Sequence, residues 1–226
     1  YLEKTSEIFK KVLKTKIISK IMETLEILGI VGPGVHKELM DKLTKAGAPR
    51  PTARQTLFAL YSAMYGLDRE LSKSIYSCLA DSGFLTSTEN ILGERNFIVH
   101  DDVKGESQDL TRLFVLHDVK EDPTVRIVPY GQRLGAKIES PLDLAKHPIT
   151  IAQVGNLPRE MIEKLVGKER VDKSSLITDD PRSTYPNSQR TYTALRLRTF
   201  GGSWVFLDTS FSRYRTGYAL KLKVSE

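Results

Sequence analysis

The chain has 226 residues, 40% hydrophobic and 27% charged, an ordinary globular balance that excludes wholesale disorder. Its apolar runs are only a few residues long and no basic segment precedes an apolar one, so neither a membrane-spanning helix nor a secretory leader is expected. The formal net charge is +6, and a lone cysteine, Cys78, excludes an internal disulfide framework and suits a reducing intracellular compartment, nucleus or cytoplasm.

The first 90 residues carry helical spacing. Ile8, Phe9, Val12, Ile21, Met22, Leu25 and Leu28 fall on one face at 100° per residue, and Gly29 ends the pattern. This apolar arc is about twice the ~100° stripe of a surface helix, which predicts packing on two sides or against another copy of the chain. Glu3, Glu7, Glu23 and Glu26 share the polar face with Lys10 and Lys14, a mixture that disfavours adsorption to a membrane through this helix. A second helix is predicted from about Val35, with Leu39, Met40 and Leu43 apolar and Gly47 as its stop. "PRPTARQTLFALYSAMYG" is the third, with Thr52 as N-cap, and "LDRELSKSIYSCLADSG" the fourth, ended by Gly83. Cys78 lies in this amphipathic fourth helix, where a buried structural thiol is expected rather than a nucleophile.

Between the first two predicted helices stands Gly32-Pro33-Gly34, followed by Val35-His36-Lys37. Over Leu25 to Leu39 this resembles the helix-hairpin-helix modules that bind DNA. The resemblance implies that amides at the start of the second helix, with His36 and Lys37 beside them, meet a phosphate. The sequence departs from that pattern at Pro33, which removes an amide donor, and at Glu38 and Asp41, which mix the charge. A tight turn between two helices accounts for the same residues.

From about Asn96 the period changes to that of strands: "NFIVH", "RLFVLHDV" and "TVRIVPYG" are short β-rich runs. Asn156 caps a helix over "LPREMIEKLVG", near 157–166. Lys168 to Arg190 has no period and contains Pro181 and Pro186, so a protease-sensitive loop is expected. "YTALRLRTFGGSWVFLD" predicts a hairpin turning at Gly201-Gly202, and "GYALKLKV" a last strand. The fold class expected is therefore α+β: an N-terminal helical bundle over 1–90, then a mainly antiparallel β domain over 91–226 with one inserted helix.

Chemistry is sparse. "FIVHDD" and "FVLHDV" echo one another, and a nuclease could hold a metal on such His-Asp pairs. On neighbouring antiparallel strands, however, His100 and His117 fall at opposite ends, and the polarity of strand ends explains both. His147 stands beside a Pro turn with no partner in sequence. No HExxH, CxxC, GxSxG or P-loop pattern occurs, so no cofactor or metal is expected and an enzyme is the lesser reading.

Charge gathers at the C-terminal end, where the final segment from Thr191 carries six Lys and Arg against two acids. Leu195 and Leu197 alternate with Arg196 and Arg198, and Leu220, Leu222 and Val224 with Lys221 and Lys223. In one sheet, period-two alternation would gather the four cations on one face. Arg213 and Arg215 extend the set, with Tyr214, Phe211 and Tyr218 as stacking groups. An ordinary solvated face shows the same alternation, since Lys and Arg also discourage edge pairing. Cations interleaved with rings are nevertheless what nucleic acid requires. The leading expectation is a non-catalytic nucleic-acid-binding protein acting through this sheet face, as a homo-oligomer. The alternatives are a self-associating matrix- or coat-like protein contacting anionic membrane or acidic partners, and a metal-dependent nuclease.

Overall fold

Strand β1 occupies Leu25–Val35, where the sequence pattern predicts the end of a helix and a hinge. The computed structural model describes residues 25–65, 68–92, 96–103, 123–129, 141–166, 190–199, 203–211 and 214–224. Helical and strand patterns compete in β1, because Leu25 and Leu28 fit a helix while Leu25 and Ile27 fit a strand. The strand wins through a bulge: its register against the last strand shifts between Ile27 and Gly29, so Leu28 turns out to 50% exposure and Ile30 returns to the core. A second register shift, between Val31 and Gly34, spans the cis Gly32–Pro33 bond. Gly32-Pro33-Gly34 is thus an irregularity within a strand. The helix-hairpin-helix resemblance fails, since no helix precedes this segment from Leu25 onward.

Helices α1 (His36–Lys45), α2 (Ala53–Tyr65) and α3 (Arg69–Asp81) follow, close to their expected positions. Thr52 caps α2 reciprocally with Gln55: Gln55 N donates to Thr52 Oγ1 at 3.2 Å, and Thr52 N to Gln55 Oε1 at 3.0 Å. Asp68 caps α3 by accepting from Glu70 N and Leu71 N, both at 3.0 Å. Gly83, at φ +81°, closes α3, its N–H donating to Cys78 O at 2.8 Å.

Six more strands and three short helices complete the described fold: β2 (Phe84–Leu92), β3 (Asn96–Asp101), β4 (Val125–Pro129), α4 (Pro141–Lys146), α5 (Pro148–Val154), α6 (Arg159–Val166), β5 (Arg190–Thr199), β6 (Ser203–Phe211) and β7 (Thr216–Val224). The strands form one seven-stranded sheet in the order β1-β7-β2-β3-β4, with β5 also on β2 and β6 on β5. All pairings are antiparallel except β2 with β7, which is parallel and joins at Phe84 and Tyr218. The class is α+β with a mixed sheet.

The expected N-terminal bundle needs correction. Leu25–Val35 is a strand within that span and Phe84–Leu92 another that begins in it, and the helices bury their apolar faces on the sheet. On one face α1 packs Leu39, Met40 and Leu43 over Leu85, Ala194 and Ala219. On the other, Leu57, Phe58, Leu60, Ile75 and Leu79 of α2 and α3 join Phe84, Leu195, Leu220 and Leu222. Consecutive residues such as Phe84 and Leu85 serve opposite cores, as strand alternation requires. Most of the predicted first helix, and "RLFVLHDV" with His117, lie outside the described residues, as does the expected loop up to Gln189.

Helix α6 occupies the segment near 157–166 as expected. Helices α4 and α5 are additions, because Pro141 and Pro148 read as breaks in the sequence yet each opens a helix, where a missing N–H costs nothing. His147 caps α5, its Nδ1 accepting from Ile149 N at 3.3 Å.

Candidate functional site

Strands β5 and β7 lie on either side of β2, so the two basic alternations do share a sheet. Leu195, Leu220 and Leu222 enter the core beneath α2 and α3, while Ala194 and Ala219 face α1. Arg196 follows the phase of Ala194, and Lys221 and Lys223 that of Ala219, which puts them on the face opposite the leucines. Arg198 continues β5 opposite Trp204.

Direction then divides them. Leu195 and Tyr218 both pair with Phe84, but β5 runs antiparallel to β2 and β7 parallel to it. From that common level Arg196 and Arg198 proceed one way, and Lys221 and Lys223 the other. With strands about 4.8 Å apart and a rise of about 3.3 Å per residue, the backbones of Arg196 and Lys221 are on the order of 15 Å apart. Helix α1 sits over the Ala194–Leu85–Ala219 row between them. The backbone positions of the four residues thus fall in two separate places along the sheet.

Lys221 and Lys223 make the quieter patch. Lys223 lies opposite Glu26 in register and its Nζ is 3.6 Å from Glu26 Oε2, an exposed pair of small energetic weight. Lys221 is half-buried opposite Gly29. The other patch is built around Gly83. A Cβ there would come within 2.5 Å of Arg196 Cγ and 2.6 Å of Leu195 O, so β5 closes directly on this glycine. On its other side Gly83 O accepts from Tyr218 N at 2.9 Å. Arg196 and the start of β7 therefore border one turn. Tyr214, 73% exposed, and the exposed Arg215 lead into β7 there, while Arg213 lies outside the described residues.

Tyr218 is no stacking platform, because it packs against the core beside Phe84. Its hydroxyl donates to Asp81 Oδ2 at 2.9 Å, and that bond holds the phenol above its usual pKa range. Cys78 is partly buried against the same core, and burial first, then Asp81, pushes its thiol up, away from a nucleophilic thiolate.

The His-Asp segment turns inward instead. His100 is 3% exposed, and its Nδ1 is 3.4 Å from Oε2 of Glu89, its equally buried cross-strand partner. Tyr192 pairs with Glu89 from the other side, so Tyr192, Glu89 and His100 form one row across β5, β2 and β3. His36, which the hinge reading places at a phosphate, is buried: it stacks on Tyr192 with ring centroids 3.6 Å apart, and its Nε2 is 2.9 Å from Thr86 O. Lys37 binds Asp41 at 2.6 Å, a hydrogen bond that keeps the Asp41 carboxyl below its usual pKa range.

Asp101 accepts from Thr88 Oγ1 and pairs with Arg126 Nη1 at 2.7 Å, while Asp102 pairs with Arg50 at 3.4 Å. Both carboxylates thus clip strand ends to neighbouring elements. Among the described residues no three His, Cys, Asp or Glu side chains converge as metal ligands.

Sequence reading missed the polar layer to which these groups belong. Between Leu85 and Glu89, β2 advances four residues while β5 advances two, from Ala194 to Tyr192. That bulge folds "TSTEN" into the interior. Thr86 Oγ1 donates to Thr193 O at 2.7 Å, Asn90 Nδ2 to Thr193 Oγ1 at 3.0 Å, and Gln153 Nε2 to Asn90 Oδ1 at 3.0 Å. Thr88 Oγ1 also accepts from Ala53 N at 2.8 Å. The available signal was a polar run framed by Leu85 and Ile91, with neither hydrophobic period.

Among the described residues no helix is long and apolar enough to cross a membrane. Comparison with protein-family models, with curated proteins and with solved structures finds no match to this chain.

Proposed function

We propose that the protein is a non-catalytic nucleic-acid-binding module that contacts single strands at the edge formed by the end of β5 and the start of β7. Arg196, Arg198, Arg213 and Arg215 supply cations to phosphates, and Tyr214 offers a ring to a base. Lys221 and Lys223 add a second contact beyond α1. One observation carries this reading: a tyrosine 73% exposed stands beside an exposed arginine just before β7, whose Tyr218 meets the same Gly83 turn that Arg196 approaches. A large exposed ring gains little in water, and flanking cations suit a ligand that joins flat apolar faces to regularly spaced anions. Asp81, which lies beside Tyr218, is engaged by its hydroxyl.

The test is a salt titration against single-stranded DNA and RNA. Each neutralised phosphate contributes a log-affinity against log-salt slope of about −0.7 on a single strand, so three contacts give about −2. Changing Arg196, Arg198 and Arg215 to Gln is expected to flatten the slope while the fold stays intact. A folded variant with unchanged affinity and slope would end this reading. Binding to anionic vesicles but to neither nucleic acid would support the matrix-like alternative.

A further inference from the structure

Tyr214 and Arg215 stand just ahead of β7, and Arg196 stands on β5, with β2 between the two strands. Strand β2 pairs with β5 from Phe84 to Ile91, but among the described residues it meets β7 in a single register pair, Phe84 with Tyr218. The relation between the two sides of the proposed interface therefore depends on a narrow junction. One short turn, Asp81 to Gly83, spans it. The turn is fastened to α3 by the N–H groups of Ser82 and Gly83, which donate to Cys78 O at 3.2 and 2.8 Å. Toward β5, Gly83 has no room for a Cβ against Arg196 Cγ and Leu195 O. Toward β7, Gly83 O accepts from Tyr218 N at 2.9 Å, and a Cβ on Gly217 would fall 3.1 Å from that oxygen and 2.8 Å from Leu85 Cγ. Both strands are seated on the turn by direct backbone approach.

A side-chain bond crosses the same junction. Tyr218 Oη donates to Asp81 Oδ2 at 2.9 Å, and that oxygen also accepts from Ser82 Oγ at 3.1 Å. Held at its N–H and at its hydroxyl, Tyr218 fixes the start of β7 in place and in rotation about its axis. Thr216 pairs with Val35, which makes Arg215 and Tyr214 the first two residues beyond the β7 ladder. Two residues of chain reach no more than about 7 Å, so the exposed ring and cation follow wherever β7 is set. Contact groups held in place before binding lose less freedom on binding, which raises affinity without any new contact. We propose that Tyr218 and Asp81 are positioning residues for the single-strand interface, holding Tyr214 and Arg215 at a fixed span from Arg196. The inference rests on the reading of this edge as a nucleic-acid interface.

The experiment measures affinity for single-stranded DNA across a salt series, with the full chain well below its Tm, so that loss of stability alone leaves affinity unchanged. Tyr218→Phe removes one hydroxyl and should weaken binding about three- to tenfold, the cost of ordering a few side chains. Asp81→Asn and Asp81→Ala remove the same charge, but only Asn keeps an acceptor for the tyrosine hydroxyl. Asp81→Ala should therefore bind more weakly than Asp81→Asn by a similar factor, and adding Tyr218→Phe to both should abolish the difference. Either comparison decides the matter if a variant in the other does not fold. Wild-type affinity in folded Tyr218→Phe, or equal affinity in the two Asp81 variants, would overturn the proposal while the wild-type salt slope still upheld the interface. A wild type that binds no single strand would fail the interface reading first, and this proposal with it.

Discussion

His36 stacks on Tyr192 at 3.6 Å between centroids, fastening the first residue of α1 to β5 across the sheet. The same ring reaches Thr86 O in the bulge of β2, so one side chain ties together three elements that are far apart in sequence. His36→Ala should cost about 2–3 kcal/mol, from lost burial and a stranded polar partner. His36→Phe keeps the ring and should cost less. Urea unfolding measures both, and equal losses would show that the stack contributes nothing.

Two glycines at positive φ make a controlled pair. Gly83, φ +81°, has Leu195 O within 2.6 Å of a built Cβ, whereas Gly47, φ +64°, has nothing within 4 Å. Gly47→Ala should cost about 1 kcal/mol, the conformational penalty alone. Gly83→Ala adds a backbone collision and should cost at least about 3 kcal/mol or prevent folding. Similar unfolding midpoints for the two variants would contradict the close approach of β5.

The Tyr218–Asp81 bond has a pH signature. Its folded pKa is raised, chiefly by that hydrogen bond, so the stability it confers is complete below the ordinary tyrosine range and disappears as pH rises through the folded value. Wild type should lose more stability than Tyr218→Phe across that alkaline window. Asp81→Asn should return the Tyr218 titration toward its usual range, as followed by tyrosinate absorbance against the Phe variant.

Asp41 has the opposite sign. Its folded pKa is depressed, first by the hydrogen bond from Lys37, so its contribution is present above the ordinary aspartate range and is lost as pH falls through the folded value. The stability gap between wild type and Asp41→Asn should close on acidification. A gap independent of pH would place the contribution elsewhere than in the charge.

Separation of the cations by α1 predicts unequal effects on nucleic-acid affinity. Arg196→Gln with Arg215→Gln should weaken binding and flatten its salt dependence more than Lys221→Gln with Lys223→Gln, since Lys223 already faces Glu26. The reverse ranking would move the interface to the Glu26 end of the sheet.

Much of this fold is written locally. Thr52, three residues before Gln55, announces α2, and Gly83 marks the end of α3 by its permissive backbone. The apolar alternation in β3, β4, β5 and β7 is equally plain. β1 is hidden because its bulge at Leu28 breaks the strand period in the one place where Leu25 and Leu28 mimic a helix. β2 is hidden because its Thr-Ser-Thr centre faces the interior through hydrogen bonds, which hydropathy does not register. The alternation of Arg196 and Lys221 with leucines is local too, so their common face is legible. Their separation is not: it depends on strand order and on where α1 lands, both settled by packing between distant segments.

Leu25 pairs with Val224, which makes the outermost described strands of the chain immediate neighbours. Closing a contact over that span waits on a large loop-closure entropy and comes late in folding. During synthesis β1 leaves the ribosome well before β7, and its residues wait until β7 emerges for the strand they pair with in the described fold. The nascent chain therefore carries an open β edge until β7 follows, a natural substrate for chaperones that shield extended segments.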